Sequence, residues 1–417
     1  MTKKELSQRT KPRLFYGYII AALCFLILLV SFGIWESFGV FVKPLLNEFG
    51  WARAITSGAY SLSFLIFGFV GIIMGALTDK FGPRVILTLC GVCLGLGYLL
   101  MSQLNSLGQL YLFEGLILGI GMSAIYAPIL ALIARWFIKR RGLMSGIVLS
   151  GLGIGQLVSP PVISRLIVAY DWRLSYIFLG IAALLVVVIA TQFLKRDPAA
   201  IGQVPYGEAE NERQALGSDG KYYSLREAAS TIQFWILVVL KFCFGYYMVS
   251  IVIHIVPYAT DLGISFVNAA NIIAISGVAS VIGSFGLGRA GDKIGPRRVF
   301  IICFLVATLS LLFLMIASEL WMFYLFGFLI GLANGGNVVS DSPLIARLFG
   351  LKSMGSIVGI SSCAFSVGAA LGPIIMGHVF DLTASYQQAF IICAVLSFVG
   401  IIMALIIKPT QKLQNKI

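Results

Sequence analysis

Charge is scarce in this chain: 11% of its 417 residues are Asp, Glu, Lys or Arg, only 17 are acidic, and only two are histidine. So small a charged fraction is far below the roughly one quarter usual in soluble domains, and it excludes a conventional water-facing surface. A phosphate-cradling loop of the GxxxxGK type is missing, which disfavours work driven by ATP. No nucleophile stands at a workable spacing from a base and an orienting group, which argues against an enzyme. The seven cysteines (Cys24, Cys90, Cys93, Cys243, Cys303, Cys363 and Cys393) all fall inside apolar runs. They form neither a disulfide framework nor a metal-ligand set and read as small apolar packing residues. Neither a cofactor nor a metal is expected. A cleavable signal peptide is also absent from the reading, because the first apolar stretch is too long and runs on into a full helix.

What is abundant is hydrocarbon: 59% of residues are hydrophobic and mean hydropathy is +0.97. About 20 apolar residues in helix cross a bilayer, and twelve runs reach that length. They are residues 15–40, 54–77, 85–103, 109–134, 143–168, 173–194, 232–258, 266–288, 298–317, 320–346, 354–380 and 385–407. The expected fold is an all-α polytopic membrane protein. It divides into a six-helix bundle over 1–194, a linker over 195–231 rich in Glu, Gly, Gln, Lys and Ser, and a second six-helix bundle over 232–417. The linker composition reads as a solvated tether.

The two bundles are copies of one design. The hexapeptide DKFGPR at 79–84 returns as DKIGPR at 292–297, an offset of 213 residues. Gly75 and Asp79 match Gly288 and Asp292, and Pro44 matches Pro257, at the same offset. Ile133, Ala134 and Arg135 match Ile345, Ala346 and Arg347 at an offset of 212, as do Pro161 with Pro373 and Phe32-Gly33 with Phe244-Gly245. A near-constant offset over this span marks a repeat.

Basic residues give the expected orientation. Of 30 Lys and Arg, 25 fall before the first run, after the last, in the linker or in the loops on that same side. The bias of basic residues to the cytoplasm then places both termini there, in a cell inner or plasma membrane. The net charge of +13 is a topology signal with an attraction for anionic lipid headgroups; nucleic acid is not an expected partner.

These residues carry a family resemblance. The signature Gly75-x-x-x-Asp79-Lys80-x-Gly82-Pro83-Arg84, repeated after the eighth run, resembles the major facilitator superfamily. GVFVKPLLNEFGWARA at 39–54, IARWFIKRRGLMSG at 133–146, SPP at 159–161, DWR at 171–173, HIVPYATDLG at 254–263 and GPIIMGHVFD at 372–381 look like its monocarboxylate-transporter-like branch, of bacterial type. The resemblance implies two six-helix bundles related by an axis along the membrane normal, with a substrate cavity between them. It further implies that Asp79 sits near the start of the eleventh helix and Asp292 near the start of the fifth. With Arg84, Arg135, Arg297 and Arg347, these carboxylates are expected to form a cytoplasmic gate that opens when the halves rock.

Polar residues at membrane depth are the candidate site, since each is costly there unless it faces protein or water. In the seventh run Cys243, Tyr247, Ser250 and His254 step by four, three and four, one helical face. In the tenth, Asn334, Asn337 and Asp341 step by three and four. Cys363, near Ser361, Ser362 and Ser366, and Tyr126, with Ser123, add further polar groups. For the serines, helix-to-helix hydrogen bonding is an equal reading. His254 titrates near neutrality as free imidazole, so both anion binding and a proton response are expected of it. Glu36 and Asp341 are the candidate proton-coupling carboxylates, with Arg347 or Lys352 an alternative partner for Asp341. Glu114 and Glu319 read as ordinary helix-end acids. The branch often places an arginine after the glycine of the eighth helix, whereas here Ser284 follows Gly283. Lys241 lies at comparable depth, but thirteen residues separate it from His254, an angle of about 140° around a straight helix. A kink near Gly245 would bring the two closer, and snorkelling to the surface is the alternative for Lys241.

The expected function is secondary active transport by alternating access of a small organic anion, a monocarboxylate such as lactate or pyruvate, in symport with a proton, by a protein functional as a monomer. Export of a neutral or hydrophobic compound is the alternative, suggested by the missing arginine and the aromatic-rich helices. A sensor that binds ligand without moving it is a third reading, which a large appended cytoplasmic domain would favour.

Overall fold

A computed structural model of the protein describes residues 15–138, 140–206, 223–350 and 354–407, without the side chains of Asp79, Arg141, Ala200 and residues 354–356. Among these residues twelve helices are long and apolar enough to cross a membrane. They are α1 (Tyr16–Phe49), α2 (Arg53–Phe81), α3 (Pro83–Met101), α4 (Leu107–Trp136), α5 (Arg141–Ala169) and α6 (Trp172–Gln192) in the first half. The second half holds α7 (Ile232–Asp261), α8 (Phe266–Ile294), α9 (Pro296–Leu314), α10 (Leu320–Phe349), α11 (Met354–Thr383) and α12 (Gln387–Ile406). Even the shortest, of 19 residues, is about 28 Å long at 1.5 Å per residue, enough for the hydrocarbon layer. Large apolar side chains such as Ile73, Leu89, Ile189, Leu309 and Phe398 point outward from both halves, as a lipid-facing surface requires.

The repeat reappears as repeated packing. In the first half α1 lies on α5, α2 on α4 and α3 on α6; in the second, α7 lies on α11, α8 on α10 and α9 on α12. The duplicated Gly-Pro turn explains how each half begins its third helix. Gly82 and Gly295 adopt φ of +87° and +89°, a region open to glycine, and the following Pro83 and Pro296 occupy first helical positions, where the lost N–H has no partner anyway.

Two helices depart from regularity. The first apolar run was expected to end at residue 40, but α1 is interrupted at Glu36 and Ser37 and then continues over Phe38–Phe49. Lys43, Pro44 and Glu48 dilute the apolar signal there, while Phe38, Val40, Phe41, Val42 and Leu45 keep one face buried. In α4 the stretch Tyr111–Leu118 is π-helical, a widened winding that often marks a functional site.

The halves meet along three seams, α2 with α11, α5 with α8, and the end of α1 with α7. On the face opposite the termini the approach is backbone to backbone: a Cβ at Gly39 would stand 2.4 Å from the Val252 carbonyl oxygen, and one at Gly377 would stand 2.6 Å from the Ala54 nitrogen. Toward the termini face, Gly75 of α2, Gly142 and Gly146 of α5, Gly286 of α8 and Gly359 of α11 all border open space. Among the described residues, the close backbone approaches between the halves therefore lie from mid-membrane to the opposite face.

Both described ends of the linker dock. Tyr206 exchanges backbone hydrogen bonds with the end of α4, its N–H reaching Trp136 O at 2.9 Å and its carbonyl accepting from Ile138 at 3.1 Å. Tyr223 bonds Phe349 O, and the short helix Leu225–Ala229 is closed by a capping box between Ser224 and Glu227. The expectation of a plain solvated tether does not fit these ends; residues 207–222 lie outside the described residues.

Candidate functional site

Lys241 and Asp341 form an ion pair inside the protein. Lys241 enters α7 nine residues after its start and Asp341 stands eight before the end of α10, so both lie roughly 12 to 14 Å in from the termini face. Nζ and Oδ2 are 3.0 Å apart, with side chains only 9% and 14% exposed. Asp341 therefore pairs with Lys241, not with Arg347, and Lys241 does not snorkel; Lys352 lies outside the described residues. The pair is incompletely satisfied. Oδ1 of Asp341 is buried without a partner, and an ammonium has three hydrogens to give.

Aromatic rings enclose this pair. The Lys241 ammonium stands 5.8 Å from the ring centre of Phe365 and 5.9 Å from that of Phe244. Phe365 meets Phe64 of the other half at 6.3 Å, and the rings continue through Phe67 and Phe32 to Tyr126. Tyr126 lies within electrostatic reach of Asp341. One wall is thus charged and the facing wall is apolar.

A second cluster closes the opposite face. Arg53 of α2 donates through Nη2 to Asp261 at 2.6 Å and through Nη1 to Tyr386 Oη at 2.6 Å, while its guanidinium lies 3.7 Å over Phe380. Lys43 adds a 3.0 Å pair to Asp261. Asp381 accepts from the Arg53 and Ala54 backbone N–H groups at 3.0 and 2.9 Å, capping the start of α2 from the other half. The chain of donors runs on into His254. Burial pushes the Tyr386 phenol up, beyond its ordinary range, so its hydroxyl keeps its proton and can donate to His254 Nδ1 at 3.1 Å. With a proton on Nε2, His254 then donates to Pro373 O at 3.0 Å, with Ser57 Oγ at 3.2 Å. The tautomer follows from this network.

His254 and Lys241 consequently do not meet. α7 runs unbroken from Ile232 to Asp261, so thirteen residues put the two about 20 Å apart along its axis as well as on different faces. Other expected cavity residues also point elsewhere. Tyr247 accepts from Asn337 Nδ2 at 3.0 Å and packs against Phe304 of α9, inside the second bundle. Ser250 bonds back to Tyr246 O and abuts Gly372 of α11; Ser284 bonds Gly335 O across α8 and α10. Both act as interhelical contacts. Asn334 borders a cavity of about 20 Å³ between α7, α8 and α10, room for one water. Cys363 does reach the seam between halves, its Sγ 3.9 Å from Gly68 O.

Arg84 and Arg297, two of the expected gate residues, act within halves. Arg84 at the start of α3 donates to Gln192 at the end of α6, and Arg297 at the start of α9 donates to the carbonyls of Ala404 and Leu405 at the end of α12. Both put a cation at a helix C-terminal end, Arg84 on the Gln192 side-chain oxygen and Arg297 on the backbone carbonyls themselves. Arg135 pairs with Asp197 at 3.2 Å, and Arg347 lies against the Gly295 backbone. Asp292 is exposed and makes no hydrogen bond or ion pair among the described residues; the Asp79 side chain lies outside them. Among the described side chains, Arg84, Asp292, Arg297 and Arg347 form no bridge between the halves at the termini face.

Sequence reasoning missed Arg53, Asp261, Asp381 and Tyr386. The signal was present, since three of the quoted segments place a charged residue at a helix end on one face of the protein. Glu114, read as an ordinary helix-end acid, is instead 2% exposed.

A family model described as the Major Facilitator Superfamily matches residues 23–269 and 235–416. Human monocarboxylate transporter 12 is 26% identical over 96% of this chain and 82% of its own length. The uncharacterized MFS-type transporter YcxA of Bacillus subtilis (strain 168) is 28% identical over 94% of both chains. A bacterial homolog of the human lysosomal transporter Spinster, inward-facing and occupied, superposes with a TM-score of 0.75 at 16% identity over 95% of this chain and 97% of its own. The nucleoside transporter NupG does so with 0.75 at 14% over 93% and 99%.

Proposed function

The chain belongs to the major facilitator superfamily, and from that premise we propose that it moves a small organic anion, a monocarboxylate such as lactate or pyruvate, together with a proton. The single observation that carries this reading is the half-satisfied pair of Lys241 and Asp341 facing an apolar aromatic wall. A monocarboxylate fits both sides: its carboxylate completes the ammonium, and its short apolar body lies against Phe32, Phe64 and Phe67.

The proton follows from charge. Lys241 and Asp341 together are neutral; adding a carboxylate leaves the site with one negative charge, and protonating Asp341 restores neutrality. A neutral site is one the halves can close over, since an uncompensated buried charge costs several kcal/mol or more. Asp341 is then the proton-coupling group, while His254 belongs to the closure whose bonds break on opening. With the basic residues cytoplasmic, the structure corresponds to a state shut on the outside and open inward. Membrane lipid surrounds the single chain, and the site needs no second copy.

Uptake of labelled lactate into proteoliposomes, with and without an imposed pH gradient, tests the reading. Saturable uptake that an inward proton gradient accelerates and Lys241→Gln abolishes is expected. Uptake indifferent to the gradient, or preference for a neutral hydrophobic compound in keeping with the aromatic wall, overturns it.

A further inference from the structure

The first bundle contains a second acidic site that the cavity does not use. Glu114 sits in the π-helical stretch of α4, and its carboxylate has neither a hydrogen bond nor an ion pair among the described residues. Around it stand Tyr60 of α2, Tyr98 of α3 and Tyr176 of α6, each at most 2% exposed. All three hydroxyls are buried without a partner, and all three lie within electrostatic reach of Glu114. The packing is independent of that electrostatic relation. Gly115 abuts Ala59 and Leu62 beside Tyr60, Gly97 abuts Ile117 and Leu118 beside Tyr98, and the rings of Tyr98 and Tyr176 stack at 6.3 Å. Tyr60 also lies within reach of Glu36, the carboxyl at the interruption of α1, which likewise has no side-chain partner. Tyr111, three residues before Glu114 on α4, has its hydroxyl spent on Ile55 O.

One orphaned hydroxyl is ordinary; three around one orphaned acid require a cause. No cation among the described residues faces Glu114, so a buried carboxylate there would be uncompensated, and the acid that the surroundings accept is the neutral one. Three free O–H donors are what such an acid needs once it has lost its proton. We infer that Glu114, with Tyr60, Tyr98 and Tyr176, is a proton-binding site in the first bundle, and that Tyr60 connects it to Glu36. Glu114 lies seven residues inside the opposite-face end of α4, about 10 Å, which makes it the outer member of the pair. The irregular windings of α1 and α4 fall at these two acids, where helix adjustment lets hydroxyls and carboxylates approach one another.

The transport consequence rests on the proton-coupled reading above; the titration of the acid does not. Infrared difference spectra of the full-length protein in lipid, taken between mildly acidic and mildly alkaline pH, should show a carboxylic-acid carbonyl band that disappears in Glu114→Gln. Tyr98→Phe with Tyr176→Phe removes hydroxyls that hold nothing in this state, so folding should survive while proton affinity rises by about a hundredfold, roughly tenfold for each of the two donors lost to the ionised form. In proteoliposomes, Glu114→Gln should keep substrate exchange without a gradient and lose accumulation driven by one. A band that persists in Glu114→Gln, or that does not respond to the tyrosine changes, overturns the site. Full gradient-driven accumulation by Glu114→Gln overturns its coupling role. If the unmodified protein carries no carboxylate at all, the substrate reading fails and the infrared result alone decides this one.

Discussion

Asp381 makes the sharpest prediction, because it caps a helix belonging to the other half. The capping position just before α2 is held by Ala52, whose methyl cannot accept from the exposed N–H groups of the first turn, and Asp381 supplies both acceptors instead. A cap of this kind contributes about 0.5 to 2 kcal/mol, and the carboxylate adds a favourable charge at the positive helix end. Asp381 is exposed at the membrane edge, so the middle of that range applies. Asp381→Ala should therefore weaken the closed state by about 1.4 kcal/mol, roughly tenfold in the ratio of closed to open. Asp381→Asn keeps one neutral acceptor and should cost about half as much, roughly threefold. Spin labels at exposed Asn47 and Leu262, on the ends of the first and seventh helices, report the ratio through their distance distribution. Adding Ala52→Ser gives α2 a cap in either state and should blunt the effect of Asp381→Ala. An unchanged distribution in Asp381→Ala, or one that Ala52→Ser does not modify, refutes the cross-half cap as a stabiliser of closure.

Other outcomes follow from the same geometry. Lys241→Met strands Asp341 as a buried charge and should lower stability by about 3 to 5 kcal/mol, whereas Lys241→Met with Asp341→Asn should recover most of the melting temperature without recovering uptake; equal melting of the single and double variants contradicts the pair. His254→Ala removes the acceptor of Tyr386 and the donor to Pro373 and should slow transport with little loss of folded protein; uptake unchanged from acidic to alkaline pH would exclude His254 from the cycle. Gly39→Val places a side chain where the Val252 carbonyl lies 2.4 Å from the first added carbon, so the label distance across the opposite face should lengthen. A normal distance in that variant means the seam can yield.

The repeat and the twelve runs made the fold legible, because membrane spans are written in long apolar stretches and duplicated turns survive as near-identical words. Local angle was legible too: Lys241 and His254, about 140° apart around α7, meet separate partners. What composition could not convey was which neighbour each polar group meets. Asp341 could pair with several cations by proximity in sequence, and only the crossing of α7 with α10 selects Lys241. Tyr247 and Asn337 lie on polar stripes, yet Tyr247 turns to Phe304 of α9 and to Asn337 while Ser250 and His254 of the same stripe meet α11. Glu114 read as a surface acid since it follows a loop by only a few residues, and the packing of α2, α3 and α6 over it leaves no trace in spacing. Arg84 and Arg297 carried the right symmetry and the wrong partner: a repeated arginine is as well explained by a repeated helix end within each half as by a bridge between them.

The ion pair breaks the symmetry of the duplication. At the 212-residue offset, Lys241 and Asp341 correspond to Leu29 and Ile129, so the first copy is chemically mute where the second is charged. On the reading proposed above, a cargo with one charged head and one greasy tail suits such lopsided walls. A dicarboxylate of similar length would have to press its second anion against phenylalanine, and the dehydration of that group, several kcal/mol, is a filter stricter than size.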